Sequence, residues 1–315
     1  MKVLHITNNY PTKEFPIFGI FVKEQIESLC NFGIENTVFF INGREKGKIE
    51  YLKSIFRLRK LLKNKQFDVI HCHHILSAII LILSRRINKN KIVVSFQNDP
   101  SKELGKLLYK FVNRYSSTRI FKNNSTFLKT DKNSYYLPNG VNLDFFKPIN
   151  KKLACESLNL NPHNTYLLFV SSNFIRNQKR YDRFLEVLQI LKEKYHYKDI
   201  VKLELINETR NLIPLYMNAA DVHLLTSDFE GSPNSVKECM ACNTSIVSTN
   251  VGNVQELLEN VNGCHVSSTF DKYELAELVD KSLKEKTNNA RDKLISMKLD
   301  IESVAIKLKN IYLRT

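Results

Sequence analysis

Short, continuous apolar runs alternate along this 315-residue chain with stretches whose apolar positions recur every three or four residues. The runs at 3–7, 37–41, 69–72, 92–96, 118–121 and 135–137 have the length and the Val/Ile/Phe content of strands buried on both faces. Helical patterns lie between most of them, at 20–31, 51–62, 75–85 and 102–113. The second half repeats the scheme, with strands at 166–171, 202–206, 222–225, 245–248 and 264–266. Its helices fall at 181–193, 213–219, 235–241, 254–259 and 273–285, with more helix to the end. Strands of this kind joined through helices pair in parallel. Two such series predict an α/β protein of two doubly wound, Rossmann-like domains. The break falls at Leu137-Pro138-Asn139-Gly140-Val141-Asn142, which gathers Pro, Asn and Gly in one loop. This gives domains 1–140 and 141–315, with a C-terminal helix free to pack back on the first. Ligands of doubly wound sheets bind beyond the carboxyl ends of the strands, so the expected site is the cleft between two facing domains.

Charge changes the picture on one side only. The net charge is +15, and residues 1–150 carry 25 Lys and Arg against 11 Asp and Glu, whereas the remainder is nearly balanced at 22 against 21. A bias of this size predicts an anionic partner for the first half. It is densest at Arg57-Leu58-Arg59-Lys60-Leu61-Leu62-Lys63-Asn64-Lys65, where basic and apolar residues mix at helical spacing. Such a helix suits either an anionic membrane surface or plain solvent. No recognised nucleic-acid module accompanies it, so nucleic acid is not expected as a partner. The apolar run from Ile75 to Leu83 stops at Arg85 and Arg86, well short of the ~18 residues that span a bilayer. The first residues read as a strand rather than a secretory signal. A cytoplasmic protein is expected, with a peripheral place at the inner face of the membrane open to it. The six cysteines are scattered, which fits free thiols in a reducing compartment. Cys239 and Cys242 have redox-motif spacing but fall at the end of a helix, where no dipole lowers a thiol pKa.

Candidate chemistry concentrates in two strand-loop-helix segments. In Leu224-Leu225-Thr226-Ser227-Asp228-Phe229-Glu230-Gly231-Ser232-Pro233-Asn234-Ser235-Val236-Lys237-Glu238, Ser232 reads as the helix cap and Pro233 as the first helical residue. The amides near Ser232, Asn234 and Ser235 then form an anion site at the helix start, and Gly231 admits a ligand close to the backbone. Glu230 and Glu238 flank it, two carboxylates able to accept hydrogen bonds from vicinal hydroxyls. The other segment, Ser171 to Asp182, presents Arg176, Lys179 and Arg180 before a helix, cations suited to a departing diphosphate.

Together these residues resemble the family-4 retaining glycosyltransferases of the GT-B fold, of the kind that build bacterial surface polysaccharides. Pro138 to Pro148 looks like that family's interdomain signature, and Glu230 to Glu238 is similar to its E-x7-E motif. Pro214 to Val222, Met240-Ala241-Cys242 and Ile246 to Thr249 also match. Tyr10-Pro11-Thr12 and Phe18 to Gln25 resemble its first loop. The resemblance covers nearly the whole chain. It implies that Glu238 holds ribose hydroxyls, and that Glu230 with the amides of 231–234 faces the transferred sugar and diphosphate. Lys179 falls at the phosphate-contacting lysine, Arg176 is the candidate for the matching arginine, and Gly19 lies by the diphosphate. It implies a nucleotide-sugar donor, with UDP the commonest in such enzymes, and a lipid-linked or polysaccharide acceptor. With no Asp-x-Asp triplet, neither metal nor other cofactor is expected. Gln97 stands where the family often has a histidine. His73 or His74, at a strand's carboxyl end, is expected to line the cleft near the acceptor, and Gln97 is the other acceptor-side candidate.

His71-Cys72-His73-His74 looks like a metal cluster on paper, but alternate residues of a strand face opposite ways, so four ligands cannot converge. Three other functions remain open. A sugar-nucleotide epimerase of the same architecture needs a cleft closed to large acceptors. A degenerate, inactive relative fits the short chain. A polybasic protein binding lipid or nucleic acid fits the charge alone.

Overall fold

A computed structural model describes residues 1–84, 91–98, 105–124, 133–172, 177–287 and 289–315. The chain divides into two compact units, one made of Met1–Gly140 with Ile301–Thr315 and the other of Val141–Asp300.

The first unit is built on a parallel sheet of β1 (Lys2–Thr7), β2 (Glu35–Phe40), β3 (Val69–Cys72), β4 (Ile92–Phe96), β5 (Thr118–Phe121) and β6 (Ser134–Tyr136). Their order is β2-β1-β3-β4-β5-β6. β1, β3 and β4 are buried almost throughout, which is why they read as continuous apolar runs. The helices Ile49–Asn64, Ile75–Leu83 and Lys106–Tyr115 pack side by side in one layer. They bury Leu58, Ile75, Ala78, Leu81, Tyr109 and Val112 against Leu4, Ile6, Cys72, Val94 and Phe96. Elsewhere in this unit Ile20–Cys30 packs against the last helix, Ile301–Arg314.

Between sheet and last helix lies a polar network inside an otherwise apolar interior. His5, His71 and His73 are all buried, and the rings of His71 and His73 stack at 4.0 Å. His73 Nε2 and His5 Nδ1 share a hydrogen bond of 2.9 Å, and His5 Nε2 meets Asn36 Oδ1 at 2.9 Å. His71 reaches Tyr312 OH at 2.6 Å and Ser95 Oγ at 2.8 Å. Lys122 is buried too and donates to the Leu137 carbonyl at 3.0 Å. Burial pushes His5 down to about 4 and Lys122 down to about 7. His71 and His73 fall well below the usual imidazole range through burial and the neighbouring charges. The three rings stand close enough to share an ion. However, five of their six ring nitrogens already bond to one another, to Asn36, to Ser95 and to Tyr312, so we assign a neutral hydrogen-bond network.

That network makes the fold acid-sensitive. Above pH 6.5 the rings are neutral in both folded and unfolded chain. Between 6.5 and about 4 only the unfolded chain takes up the His5 proton, so stability falls as pH drops. His5 alone accounts for about 3 kcal/mol of loss across that window. Denaturant midpoints measured between pH 7 and pH 4.5 should fall accordingly, and His5→Gln should flatten the slope. An unchanged slope in that variant removes His5 from the acid response.

The second unit holds a parallel sheet of β7 (Thr165–Ser171), β8 (Ile200–Ile206), β9 (Val222–Leu225), β10 (Ser245–Thr249) and β11 (His265–Ser267), ordered β11-β10-β9-β7-β8. The first of these strands, β7, pairs with β8 on one side and β9 on the other. The strand order therefore reverses at β7, and the loops after β7 and β9 leave the sheet side by side. Phe169, Phe184, Val187, Leu191, Leu224 and Val279 form the core on one face. Cys239 and Cys242 are buried in this unit. Burial raises Cys239 far above the usual thiol range and Cys242 to about 12, which removes redox chemistry from that pair.

Candidate active site

The loop after β7 closes with a 3-10 turn, Asn177–Lys179, and the loop after β9 runs into the helix Asn234–Ala241. Several hydrogen bonds lace the two loops together. The Thr226 hydroxyl donates to the carbonyls of Lys179 and Arg180, and the Asp228 amide donates to the Gln178 carbonyl. Arg183 is buried and donates to the Thr226 carbonyl at 2.7 Å and to Asp228 at 3.1 Å. From β10, the Thr249 hydroxyl donates to the Ser227 carbonyl at 2.6 Å.

This frame brings Lys179 and Glu230 together. Lys179 Nζ lies 2.7 Å from Glu230 Oε1, with the two side chains only 11% and 12% exposed. Ser227 Oγ donates to the same oxygen at 2.8 Å. Eight residues on, Glu238 Oε1 pairs with Arg210 Nη1 at 2.8 Å, again mostly buried. Arg210 comes from the short turn after β8 and also lies over the rings of Phe145 and Phe146. Each carboxylate is thus held through one oxygen by a cation from a neighbouring loop.

The helix between them begins one residue later than the sequence suggests. Pro233, not Ser232, is the cap, with φ of −66° and ψ of 121°, and no side chain caps the helix. The extended ψ of Pro233 sets it outside the helix while its carbonyl accepts the Lys237 amide, so Pro233 rather than Ser232 takes the cap position. Ser232 Oγ and Asn234 Oδ1 are instead buried without a hydrogen-bond partner. Buried polar atoms are nearly always satisfied, so two orphans at one helix start mark a place where a ligand supplies the partner. Ser235 is placed differently: its hydroxyl meets His223 Nε2 at 3.1 Å, while His223 Nδ1 meets the Leu168 carbonyl at 3.1 Å. Burial pushes His223 to about 4, so it is a neutral support beneath the helix start.

Gly231 owes its position to a glycine from another loop. Gly252, after β10, has φ of +59°, and a Cβ there would lie 2.3 Å from the Gly231 carbonyl oxygen. Gly252, Arg210 and Ser227 all escape sequence reasoning. The faint signals were a Val-Gly-Asn turn after a strand for Gly252 and a cation after β8 for Arg210.

Other expected residues fall elsewhere. Arg176 lies outside the described residues. Gly19 belongs to the first unit, with φ of +71° and the Asn9 backbone 2.3 Å from where a Cβ would stand. Close packing alone therefore requires glycine there, although the buried Asn8 Oδ1 in the same loop also lacks a partner. His73 does not line any surface: it is buried in the ring network, because residues 71 and 73 share the sheet face covered by Tyr312. Gln97 donates its side-chain amide to the His73 carbonyl at 3.0 Å, a structural contact.

Residues 201–298 match the family model described as Glycosyl transferases group 1, and residues 23–124 match Glycosyl transferase 4-like. The chain is 24% identical to the UDP-Gal:alpha-D-GlcNAc-diphosphoundecaprenol alpha-1,3-galactosyltransferase of Escherichia coli, across 84% of this chain and 80% of that protein. Among solved structures it is similar to sucrose-phosphate synthase from Thermosynechococcus elongatus, with a TM-score of 0.79, 14% identity and coverage of 100% and 99% of the two chains. It is also similar to Anabaena HepE in complex with UDP-glucose, with a TM-score of 0.68, 15% identity and full coverage of both chains.

Proposed function

From the premise that this chain is a group 1, family-4-type glycosyltransferase of the GT-B fold, we propose that it moves a hexose from a nucleotide diphosphate sugar to a lipid-linked or polysaccharide acceptor. UDP is the first candidate for the carrier, and the product is a bacterial surface glycan. The support for the donor is the helix start of Asn234–Ala241, where orphaned Ser232 Oγ and Asn234 Oδ1 lie between two anchored carboxylates. In this reading Glu238 receives the ribose hydroxyls on its second oxygen while Arg210 fixes the first. Glu230 faces the sugar, and the free amides of the first turn with Lys179 face the diphosphate. The relative from Escherichia coli is named for a UDP-sugar donor and a lipid diphosphate acceptor, and the Anabaena neighbour binds UDP-glucose.

The reaction proposed proceeds with retention. The acceptor oxygen forms its bond to the anomeric carbon on the face from which the diphosphate oxygen departs, and that oxygen takes the acceptor's proton. No protein base is required, and the protein positions both partners and stabilises the charge that builds on the diphosphate. Lys179 supplies that stabilisation in place of a metal, with Arg176 as its proposed companion. The location proposed with it is the cytoplasm, at the inner face of the membrane where a lipid-linked acceptor would lie. Among the described residues no helix is long and apolar enough to cross a bilayer.

Thermal unfolding with UDP, GDP, ADP or CMP, in chelator, tests the donor site. A diphosphate at 100 times its dissociation constant adds about 2.7 kcal/mol to the folded state, a plain rise in melting temperature. Glu238→Ala should abolish that rise, with Glu238→Gln as a control that keeps a hydrogen-bond acceptor of the same shape beside Arg210. No rise with any nucleotide in the wild type would sink the transferase reading.

A further inference from the structure

The outer face of the helical layer in the first unit carries large apolar side chains that the fold does not use. On Ile49–Asn64 the inward face presents Glu50, Ser54 and Leu58. The opposite face presents Ile49, Leu52 and Phe56 in line with Arg59, Lys60 and Lys63. Phe56 is 72% exposed and Leu52 63%. The basic-apolar alternation of the sequence thus resolves into Leu58, Leu61 and Leu62 packed inward and a separate apolar row pointing out. The carboxylate of this helix, Glu50, is buried and paired with Arg57 at 2.6 Å, so it neutralises nothing on the outer face.

A second helix in the same layer repeats the arrangement. Lys106–Tyr115 buries Tyr109 and Val112 and turns Leu107 and Phe111 outward beside Lys110 and Arg114. Leu107 is 83% exposed, and the helix contains no acidic residue. Helix Ile75–Leu83 packs between the two and ends on an exposed Leu83. Scattered exposed leucines need no explanation, but a row shared by neighbouring helices and framed by basic side chains with no acidic partner among the described residues is a patch.

The geometry points to this layer as the surface that docks on a bilayer containing anionic lipid. The apolar tips of Leu52, Phe56, Leu107 and Phe111 enter the headgroup boundary while Arg59, Lys60, Lys63, Lys110 and Arg114 meet phosphate groups around them. A nucleic acid would use the charge but not the apolar tips, and an ordinary protein partner would not call for a single sign of charge. The purpose of such docking rests on the proposed lipid-linked acceptor, but its test does not.

Flotation of the full chain with vesicles of phosphatidylcholine plus phosphatidylglycerol, or phosphatidylcholine alone, decides the matter without donor or acceptor. Binding is expected on the anionic vesicles only. Phe56→Ser and Phe111→Ser should each weaken it roughly tenfold. Arg59→Ser, Lys60→Ser and Lys63→Ser should each weaken it about fivefold and flatten its salt dependence. All five side chains are exposed, so unchanged melting temperature and an unchanged response to UDP separate a docking defect from misfolding or a failed donor site. Equal binding to neutral vesicles, wild-type binding by the phenylalanine variants, or a dimer that Phe56→Ser converts to monomer overturns the proposal.

Discussion

Replacing Lys179 by alanine should slow sugar transfer by roughly 10²–10³-fold while changing nucleotide affinity only a few-fold. Negative charge on the diphosphate grows as the bond to the sugar breaks. A cation aimed at it from a half-dry site is therefore worth more in the transition state than in the bound complex. The Lys179 backbone is held by Thr226 and its ammonium by Glu230, so it is positioned before the donor arrives. Steady-state turnover together with calorimetric UDP binding separates the two quantities. The competing account makes the 2.7 Å pair with Glu230 merely structural. Removing one partner of a buried pair costs about 3–5 kcal/mol, so alanine could then lower activity through unfolding. The double variant Lys179→Met with Glu230→Gln leaves no orphaned charge. If it melts like wild type and still transfers sugar at the wild-type rate, both residues drop out of the mechanism.

Gly252→Ala should be the most damaging change at a residue that need not touch substrate. An alanine at φ of +59° carries about 1–2 kcal/mol of strain by itself. Its Cβ would stand 2.3 Å from the Gly231 oxygen and 2.9 Å from the Gly231 carbonyl carbon, both backbone atoms that no rotamer change can move. The 230–232 loop must therefore shift, and a displacement near 1 Å at a reacting centre costs about 100-fold in rate. Gly33→Ala is the matched control, with φ of +74° and nothing within 4 Å of the added carbon. Both variants should lose comparable intrinsic backbone stability, and only Gly252→Ala should lose transfer. Equal activity in the two would mean that the loop position is not critical.

The alternation of apolar strands with helices was legible because both sheets are parallel and their central strands are buried on both faces, so those strands read as single runs. The candidate site was legible as far as it lies on contiguous sequence. Glu230 and Glu238 bracket one loop and one helix start, and Lys179 precedes a helix at the neighbouring strand. Partners brought in by topology were not. Arg210 meets Glu238 only because β8 lies beyond β7 in the sheet, and Gly252 meets Gly231 only because β10 pairs with β9. His73 was misplaced for a related reason. Its position at a strand's end suggests a surface, but Tyr312, far along the chain, closes over its neighbour His71. The cap at Pro233 was misjudged because Ser232 has the right chemistry for a cap that the backbone does not use.

The closing helix has a consequence for how the protein is made. The first unit is complete only when Ile301–Arg314 has joined it, placing Tyr312 on His71, Thr315 on Thr118 and Lys309 on the Phe32 carbonyl. On the ribosome, all of Val141–Asp300 must be translated first. At roughly 5–20 residues per second, the amino-terminal sheet waits for many seconds with one apolar face and a charged-or-neutral histidine cluster uncovered. Nascent chains stalled before residue 301 should accordingly recruit holdase chaperones and resist compaction, whereas those in which Ile301–Thr315 has emerged should not. The acid-sensitive network is thus also the last part of the amino-terminal unit to lock, which ties the timing of synthesis to the stability of the finished enzyme.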